Sequence, residues 1–115
     1  MHLRKTLSLA LVIVGLAASS SFAADPSDAV AQFRVGYAHE RGDGAPQDYA
    51  EAMRLYQLSA AQGNDVAQFR IGYLYEKGFG VPKDDAQAMQ WYEKAAAKGN
   101  KPATNRLAVL KARQP

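Results

Sequence analysis

An internal repeat with a period of 36 residues constrains the fold of this chain more than any other feature. Residues 30–64, VAQFRVGYAHERGDGAPQDYAEAMRLYQLSAAQGN, align without a gap with residues 66–100, VAQFRIGYLYEKGFGVPKDDAQAMQWYEKAAAKGN. A fixed period of this length is typical of solenoid proteins, in which each unit buries its apolar face against the next. The repeat therefore predicts a stack of similar units.

Each repeat unit is predicted to contain two helices joined by a glycine-containing loop. In the first unit, a helix over 30–41 is expected to stop at residues 42–46, GDGAP, because glycine favours the left-handed turn after a helix end. Asp48 and Glu51 have the spacing of a capping box, and they begin a second helix over about 49–62. The second unit carries the same signals at Gly78, Gly80, Asp84, Gln87 and Gly99.

A fifth helix is predicted after the second unit. Pro102 suits the first turn of a helix, and an apolar series at Ala103, Leu107 and Leu110 aligns with the first helix of a repeat. Such a helix would cover the last apolar face of the stack. The sequence thus predicts an all-α fold, an α/α superhelical solenoid of about two and a half repeats with five helices. Its predicted segments are a leader (1–23), a lead-in (24–29), two repeats (30–64 and 65–100) and a capping half repeat (101–115).

The second helix of each unit is predicted to place one side against the core. Helical spacing gives this set as Tyr49, Ala52, Met53, Tyr56 and Ala60, with Ala88, Met89, Tyr92 and Ala96 in the second unit. Small alanines let neighbouring helices approach, while methionine and the aromatic rings fill the remaining space. Trp91 is expected to be largely buried against the terminal helix.

The first 23 residues are predicted to be a cleavable secretory signal. Arg4 and Lys5 give a basic start, residues 7–18 are almost entirely apolar, and Ser21 and Ala23 are small residues suited to cleavage before Ala24. The apolar run is too short for a membrane span, although an uncleaved anchor is the alternative. The chain contains no cysteine, so it has no lipid-attachment site and no disulfide framework. This combination predicts a periplasmic or secreted bacterial protein.

Charge argues against nucleic acid as a partner. After the leader, 12 Lys and Arg face 11 Asp and Glu, which leaves a net charge of +1. No basic stripe of the kind that binds nucleic acid is visible. No membrane partner is expected once the signal is cleaved, and we expect a monomer.

Few residues could support catalysis or hold a cofactor. His39 is the single histidine after the leader, and the sequence nominates no partner or cleft for a general acid or base. Asp84 and Asp85 could be metal ligands, but Asp84 occupies the same helix-cap position as Asp48. The glycine loops lack the lysine and serine of a phosphate-binding loop. We therefore expect no enzyme, no metal site and no cofactor.

The second unit also carries a set of residues with a characteristic spacing. They are Ala67, Ile71, Gly72, Tyr75, Gly78, Phe79, Gly80, Val81, Asp84, Ala88, Trp91, Tyr92, Ala95, Ala96 and Gly99. This pattern resembles the Sel1-like repeat, a relative of the tetratricopeptide repeat. The resemblance covers residues 30–100 fully and residues 102–111 as a half repeat. It implies an α/α superhelix that acts as an adaptor or scaffold for other proteins.

The first unit departs from the family pattern at three packing positions. His39, Ala45 and Leu55 stand where the second unit has tyrosine, valine and tryptophan, as in the atypical end repeats of other arrays. Some secreted family members with cysteine-rich repeats have been credited with binding β-lactam-like compounds, but their cysteines are missing here. An enzyme or binder acting on cell-wall fragments or β-lactams remains an alternative, and a small inhibitor of one enzyme is another.

The first helices of the two units offer a candidate binding face. If Ala31, Val35 and His39 form the packed stripe, the helical step places a second set on another face. This set comprises Val30, Phe33, Tyr37, Glu40 and Arg41, with Val66, Phe69, Tyr73, Glu76 and Lys77 in the second unit. In related superhelices the equivalent face lines a concave groove. Asn105 and Val109 would continue the line on the next helix.

Aromatic and cationic side chains on such a face suit capture of a protein or peptide with acidic residues. The predicted partner-binding residues are Phe33, Tyr37, Arg41, Phe69, Tyr73 and Lys77. The alternative is that Phe33 and Phe69 pack between adjacent first helices.

Overall fold

Five α-helices of 13 residues each make up the fold. The structure, a computed structural model, describes residues 27–115, so the predictions for the leader and for residues 24–26 lie outside it. The helices are α1 (Ala29–Arg41), α2 (Tyr49–Ala61), α3 (Asp65–Lys77), α4 (Asp85–Ala97) and α5 (Lys101–Arg113), and residues 27–115 contain no strand. None of these helices is long and apolar enough to cross a membrane. The predicted all-α repeat solenoid is confirmed.

Polar side chains cap the start of every helix. The carboxylates of Asp48 and Asp84 accept hydrogen bonds from the backbone N–H groups of Glu51 and Gln87, at 3.1 and 3.0 Å. Each bond satisfies a donor that a helix start leaves without a partner, and such a cap contributes about 1 kcal/mol. The other helices use caps at Asp28, Asn64 and Asn100.

The two helices of each repeat approach closely at a glycine. A Cβ on Gly72 would lie 2.7 Å from ring carbons of Tyr92, and one on Gly36 would lie 3.0 Å from those of Tyr56. Glycine therefore lets the tyrosine of the second helix lie directly against the backbone of the first. The equivalent residue of α5 is Ala108, which is exposed.

The apolar core consists of two clusters arranged along the stack. The first lies between α2 and α3 and contains Ala52, Met53, Tyr56, Ala60, Ala67, Ile71 and Leu74. The second lies between α4 and α5 and contains Ala88, Tyr92, Ala95, Ala103 and Leu110. In both, the second helix of one unit packs on the first helix of the next, which is how a solenoid shares its core.

The buried stripe of α1 differs from the predicted one. Gln32, Gly36 and Glu40 are its buried residues, whereas Val35 is 38% exposed. The counterpart of Val35 in α3 is Ile71, which is fully buried because α2 covers it. The predicted stripe is wrong for α1 because no helix among the described residues covers this side of it.

Trp91 also packs elsewhere than predicted. Its half-buried side chain packs against the first cluster, not against α5. Successive helical residues point about 100° apart, so Trp91 turns back toward the preceding unit while Tyr92 faces its own repeat. The prediction of burial against the terminal helix is therefore wrong.

The loop of the second unit makes an additional contact with the first unit. Gly78 ends α3 with a φ of 74°, in the left-handed region that glycine favours. The chain then places Phe79 in a stack on Tyr49, with ring centroids 5.1 Å apart. The counterpart of Phe79 in the first unit is Asp43, and the counterpart of Tyr49 in the second unit is Asp85. This aromatic pair therefore occurs where the two units meet, and aspartate takes the same positions toward the ends of the stack.

Candidate partner-binding surface

Aromatic side chains lie along the exposed side of α1 and α3, four residues apart on each helix. Residues at this spacing lie one above the other on a helix, and the rings of Phe33 and Tyr37 are stacked with centroids 5.8 Å apart. Tyr37 is 37% exposed, and Phe33, Phe69 and Tyr73 are half-buried. The structure thus brings together the four aromatic residues that the sequence nominated.

Arg70 joins the aromatic residues of the two repeats. Its guanidinium carbon lies 4.5 Å from the ring centroid of Tyr73 and 5.5 Å from that of Tyr37. Two further cations lie beside these rings. The guanidinium carbon of Arg41 is 5.6 Å from the ring centroid of Tyr37, and Nζ of Lys77 is 5.7 Å from that of Tyr73. We call these five residues the aromatic–cation ladder. Sequence reasoning placed four of them on this face and missed Arg70.

The two phenylalanines have a supporting position beneath the ladder. Phe33 stacks on Tyr56 at 5.5 Å between centroids, and Phe69 lies at the same distance from Tyr92 with a tilt of 33°. Both rings therefore pack on the second helix of their own repeat. They are half-buried, and the more C-terminal Tyr37 and Tyr73 follow one helical turn later on the same side of each helix.

A buried carboxylate fixes Arg70 from behind. The side chain of Glu40 is 7% exposed, and it accepts hydrogen bonds from the hydroxyl of Tyr56 at 2.5 Å and from Nε of Arg70 at 3.2 Å. A second guanidinium nitrogen of Arg70 donates to the other oxygen of Glu40. The expectation that Glu40 would lie on the exposed face is wrong, because its carboxylate turns inward to meet these two donors.

The same network recurs one period later. Glu76, whose side chain is 2% exposed, accepts from the hydroxyl of Tyr92 at 2.7 Å and from Nε of Arg106 at 3.2 Å. Arg113 adds a further ion pair with this carboxylate at 3.5 Å. The glutamate comes from the first helix, the tyrosine from the second and the arginine from the next unit. Each network therefore ties three successive helices together.

The buried networks alter the ionisation of their members. Burial and the neighbouring Glu40 carboxylate raise the pKa of Tyr56 far above its usual value, and burial with Glu76 does the same for the pKa of Tyr92. Burial disfavours the Glu76 carboxylate, but hydrogen bonds from Arg106 and Tyr92 outweigh it and lower the pKa of this group. The tyrosines therefore act as hydrogen-bond donors, and Glu76 stays charged.

The other chemistry-bearing residues have structural contacts. His39 makes a hydrogen bond through Nδ1 to the carbonyl oxygen of Pro46, at 2.9 Å. Asp84 caps α4, and Asp85 pairs with Lys83 at 3.0 Å. Among residues 27–115, no group of three or more His, Cys, Asp and Glu could hold a metal ion.

The ladder ends where the chain passes into α5. Asn105 and Val109 occupy the positions of the phenylalanine and tyrosine of the earlier units, and both are exposed. The line of exposed residues continues without aromatic rings, whereas the cations recur as Arg106 and Arg113, which both pair with Glu76. The rows of aromatic rings therefore belong to the two complete repeats.

Comparison with known proteins agrees with this architecture. The Sel1 repeat family model matches residues 29–64 and 65–100. A Sel1 repeat protein from Oxalobacter formigenes is 41% identical over 71% of this chain and 62% of its own, with a TM-score of 0.68. The antigen c5321, present in uropathogenic Escherichia coli strains and displaying an SLR fold, is 36% identical with a TM-score of 0.74. The match covers 77% of this chain and 19% of that antigen. No curated protein matches significantly.

Proposed function

The chain belongs to the Sel1 repeat family, and on this basis we propose that it binds an acidic protein segment or peptide across the aromatic–cation ladder. Repeats of this family generally serve as protein–protein interaction modules and are typically non-enzymatic scaffolds. The proposal adds the binding face and the chemical character of the partner. It also assigns the module to the periplasm or the secreted fraction, on the strength of the leader over residues 1–23.

The composition of the ladder carries the proposal. Tyrosine and arginine dominate binding hot spots, because they offer large contact areas together with hydrogen-bonding groups. Tyr37 presents an exposed ring between Arg41 and Arg70, so an approaching chain meets an apolar face bordered by two cations.

The charges of the ladder favour acidic groups in the partner. Glu40 neutralises Arg70, whereas Arg41 and Lys77 form no ion pair with any residue in the range 27–115. A carboxylate placed beside Arg41 or Lys77 would gain a charge-assisted hydrogen bond at the edge of the aromatic surface. An acidic partner is therefore preferred over a neutral or basic one.

The Glu40 network also prepares the surface for binding. Because Glu40 holds two nitrogens of Arg70, the guanidinium plane is fixed between Tyr37 and Tyr73 before a partner arrives. Side chains ordered in advance lose less entropy on binding than mobile ones. The ladder thus behaves as a preformed surface.

Affinity capture with matched variants tests the proposal. Residues 24–115, the expected mature domain, serve as bait in periplasmic extract of the source cells, beside the variants Tyr37→Ala and Val66→Ala. Val66 is also on a first helix and exposed, but it lies outside the ladder. We expect a protein retained by wild type and Val66→Ala and lost with Tyr37→Ala. Equal retention by all three baits would contradict the proposed face. A shift in Tm on adding a muropeptide or β-lactam, with no protein retained, would favour the cell-wall alternative instead.

A further inference from the structure

The N-terminal side of α1 carries the repeat's arginine without its glutamate. The arginines one period apart are Arg34, Arg70 and Arg106, and the last two bind Glu40 and Glu76 of the preceding unit. Arg34 is exposed and forms no hydrogen bond or ion pair within the part of the chain that the structure describes. The arginine of the repeated arginine–glutamate contact between units is therefore present at α1, but no glutamate binds it there.

The apolar part of the same inter-unit contact is also uncovered. Ile71 of α3 is fully buried under α2, whereas Val35, its counterpart in α1, is 38% exposed. Ala31 is partly exposed, while its counterpart Ala67 is fully buried. An arginine beside an uncovered apolar strip has the composition of a surface that receives a repeat unit.

We propose that this side of α1, defined by Ala31, Arg34 and Val35, docks a helix pair of the same repeat type from a partner protein, with a glutamate that binds Arg34. This side of α1 borders the ladder, because Arg34 is the counterpart of the ladder residue Arg70, but the docking rests on uncovered residues that the proposed peptide binding does not use. The expected contact reproduces the one between the first and second units. There the Glu40 carboxylate accepts a hydrogen bond from Nε of Arg70, and α2 covers Ile71.

The repeat pattern places no carboxylate of this chain opposite Arg34. The residue one period before Glu40 is Arg4, and residues 1–24 contain neither aspartate nor glutamate. A second copy stacked head to tail does not supply it either, because the residue one period after Glu76 is Ala112. A partner that carries its own glutamate at this position is the occupant whose charge complements Arg34.

A titration in trans tests the docking. The probe is a synthetic peptide of residues 29–64, which carries Glu40 and the helix that normally covers Ile71. It is titrated against the full mature protein, against Arg34→Gln and against Tyr37→Ala, with amide NMR shifts of α1 as the readout. We expect binding that Arg34→Gln weakens by about tenfold or more, which corresponds to about 1.4 kcal/mol. Glu40→Gln in the peptide should have the same effect, the two changes together should add nothing further, and Tyr37→Ala should bind normally.

A tandem chain decides the question where the free peptide does not fold. Residues 29–64 are duplicated in register, so that residues 1–64 are followed by residues 29–115. The second copy of Arg34 then faces the first copy of Glu40, while the first copy of Arg34 stays uncovered and serves as the internal control. We expect Arg34→Gln to lower the Tm when made in the second copy, by as much as Arg70→Gln in the natural chain, and to leave it unchanged in the first.

Three results would overturn the proposal. Arg34→Gln could be as silent in the second copy of the tandem chain as in the first. Peptide binding could be lost with Tyr37→Ala and kept with Arg34→Gln, which would assign it to the ladder. Sedimentation could show a head-to-tail dimer of the mature protein that Arg34→Gln dissociates, which would make a second copy the occupant.

Discussion

Replacing Tyr92 by phenylalanine removes one hydroxyl and leaves the ring of a fully buried residue in place. The hydroxyl donates to Glu76 at 2.7 Å, and a hydrogen bond to a charged group contributes about 1.5–3 kcal/mol. Because the ring still fills its site against Gly72, no cavity adds to this cost. We expect the free energy of unfolding to fall by about 1.5–3 kcal/mol, and the Tm to fall by about 6–24 °C for a domain of this size.

Urea unfolding of the mature domain, followed by far-UV circular dichroism, measures the loss. Tyr49→Phe is the matched control, since the Tyr49 ring stacks on Phe79 and its hydroxyl has no partner within residues 27–115. This control should change the free energy of unfolding by less than about 0.5 kcal/mol. If Tyr92→Phe costs no more than Tyr49→Phe, the buried network does not stabilise the fold as argued.

Three further predictions follow from the same contacts and from the sequence. Because the pKa of Glu76 is lowered in the folded protein, its ionised carboxylate stabilises the fold above the unfolded-state pKa near 4.5, and this contribution is lost as the pH falls through the folded-state pKa. Glu76→Gln should therefore reduce the loss of stability at acid pH, as measured by urea unfolding over a pH series. Deleting residues 101–115 removes Ala103 and Leu110 from the second cluster, so aggregation or loss of cooperative urea unfolding should follow; a truncated monomer with unchanged Tm would contradict it. Cleavage between Ala23 and Ala24 should appear in the intact mass of the exported protein, and a mass that retains residues 1–23 would remove the periplasmic assignment.

The helices and their order could be predicted because local signals mark them. Asp48 and Asp84 cap their helices where the sequence placed the caps, and Gly78 ends α3 as expected. These signals act over three or four residues, so a single sequence contains them in full. The period of 36 residues then supplied the stacking order.

The buried network could not be read from helical periodicity alone. A glutamate near the end of a helix usually faces solvent. Glu40 contacts Tyr56 and Arg70 only because the chain reverses direction twice and brings three successive helices together. The pairing joins residues 16 and 30 positions apart, which no pattern within one helix reveals. The signal that was available is recurrence, since glutamate, tyrosine and arginine all return at Glu76, Tyr92 and Arg106.

The candidate surface shows the same division between local and distant information. Spacing within α1 and α3 was enough to place Tyr37 and Tyr73 on one face, because residues on one helix follow its geometry. Arg70 was missed because its role depends on lying between rings from two different helices. Contacts between units depend on how closely neighbouring helices pack, and the sequence does not give that distance.

A binding titration of the captured partner tests the ladder most directly. Its dissociation constant is measured for the wild type, for Tyr37→Ala and for the control Val66→Ala, with a melt of each protein alongside. We expect Tyr37→Ala to weaken binding by about 1–2 kcal/mol, or about 5–30-fold, with little change in Tm, while Val66→Ala binds as the wild type does. Equal dissociation constants for all three proteins, or a loss of binding that only accompanies unfolding, would contradict it.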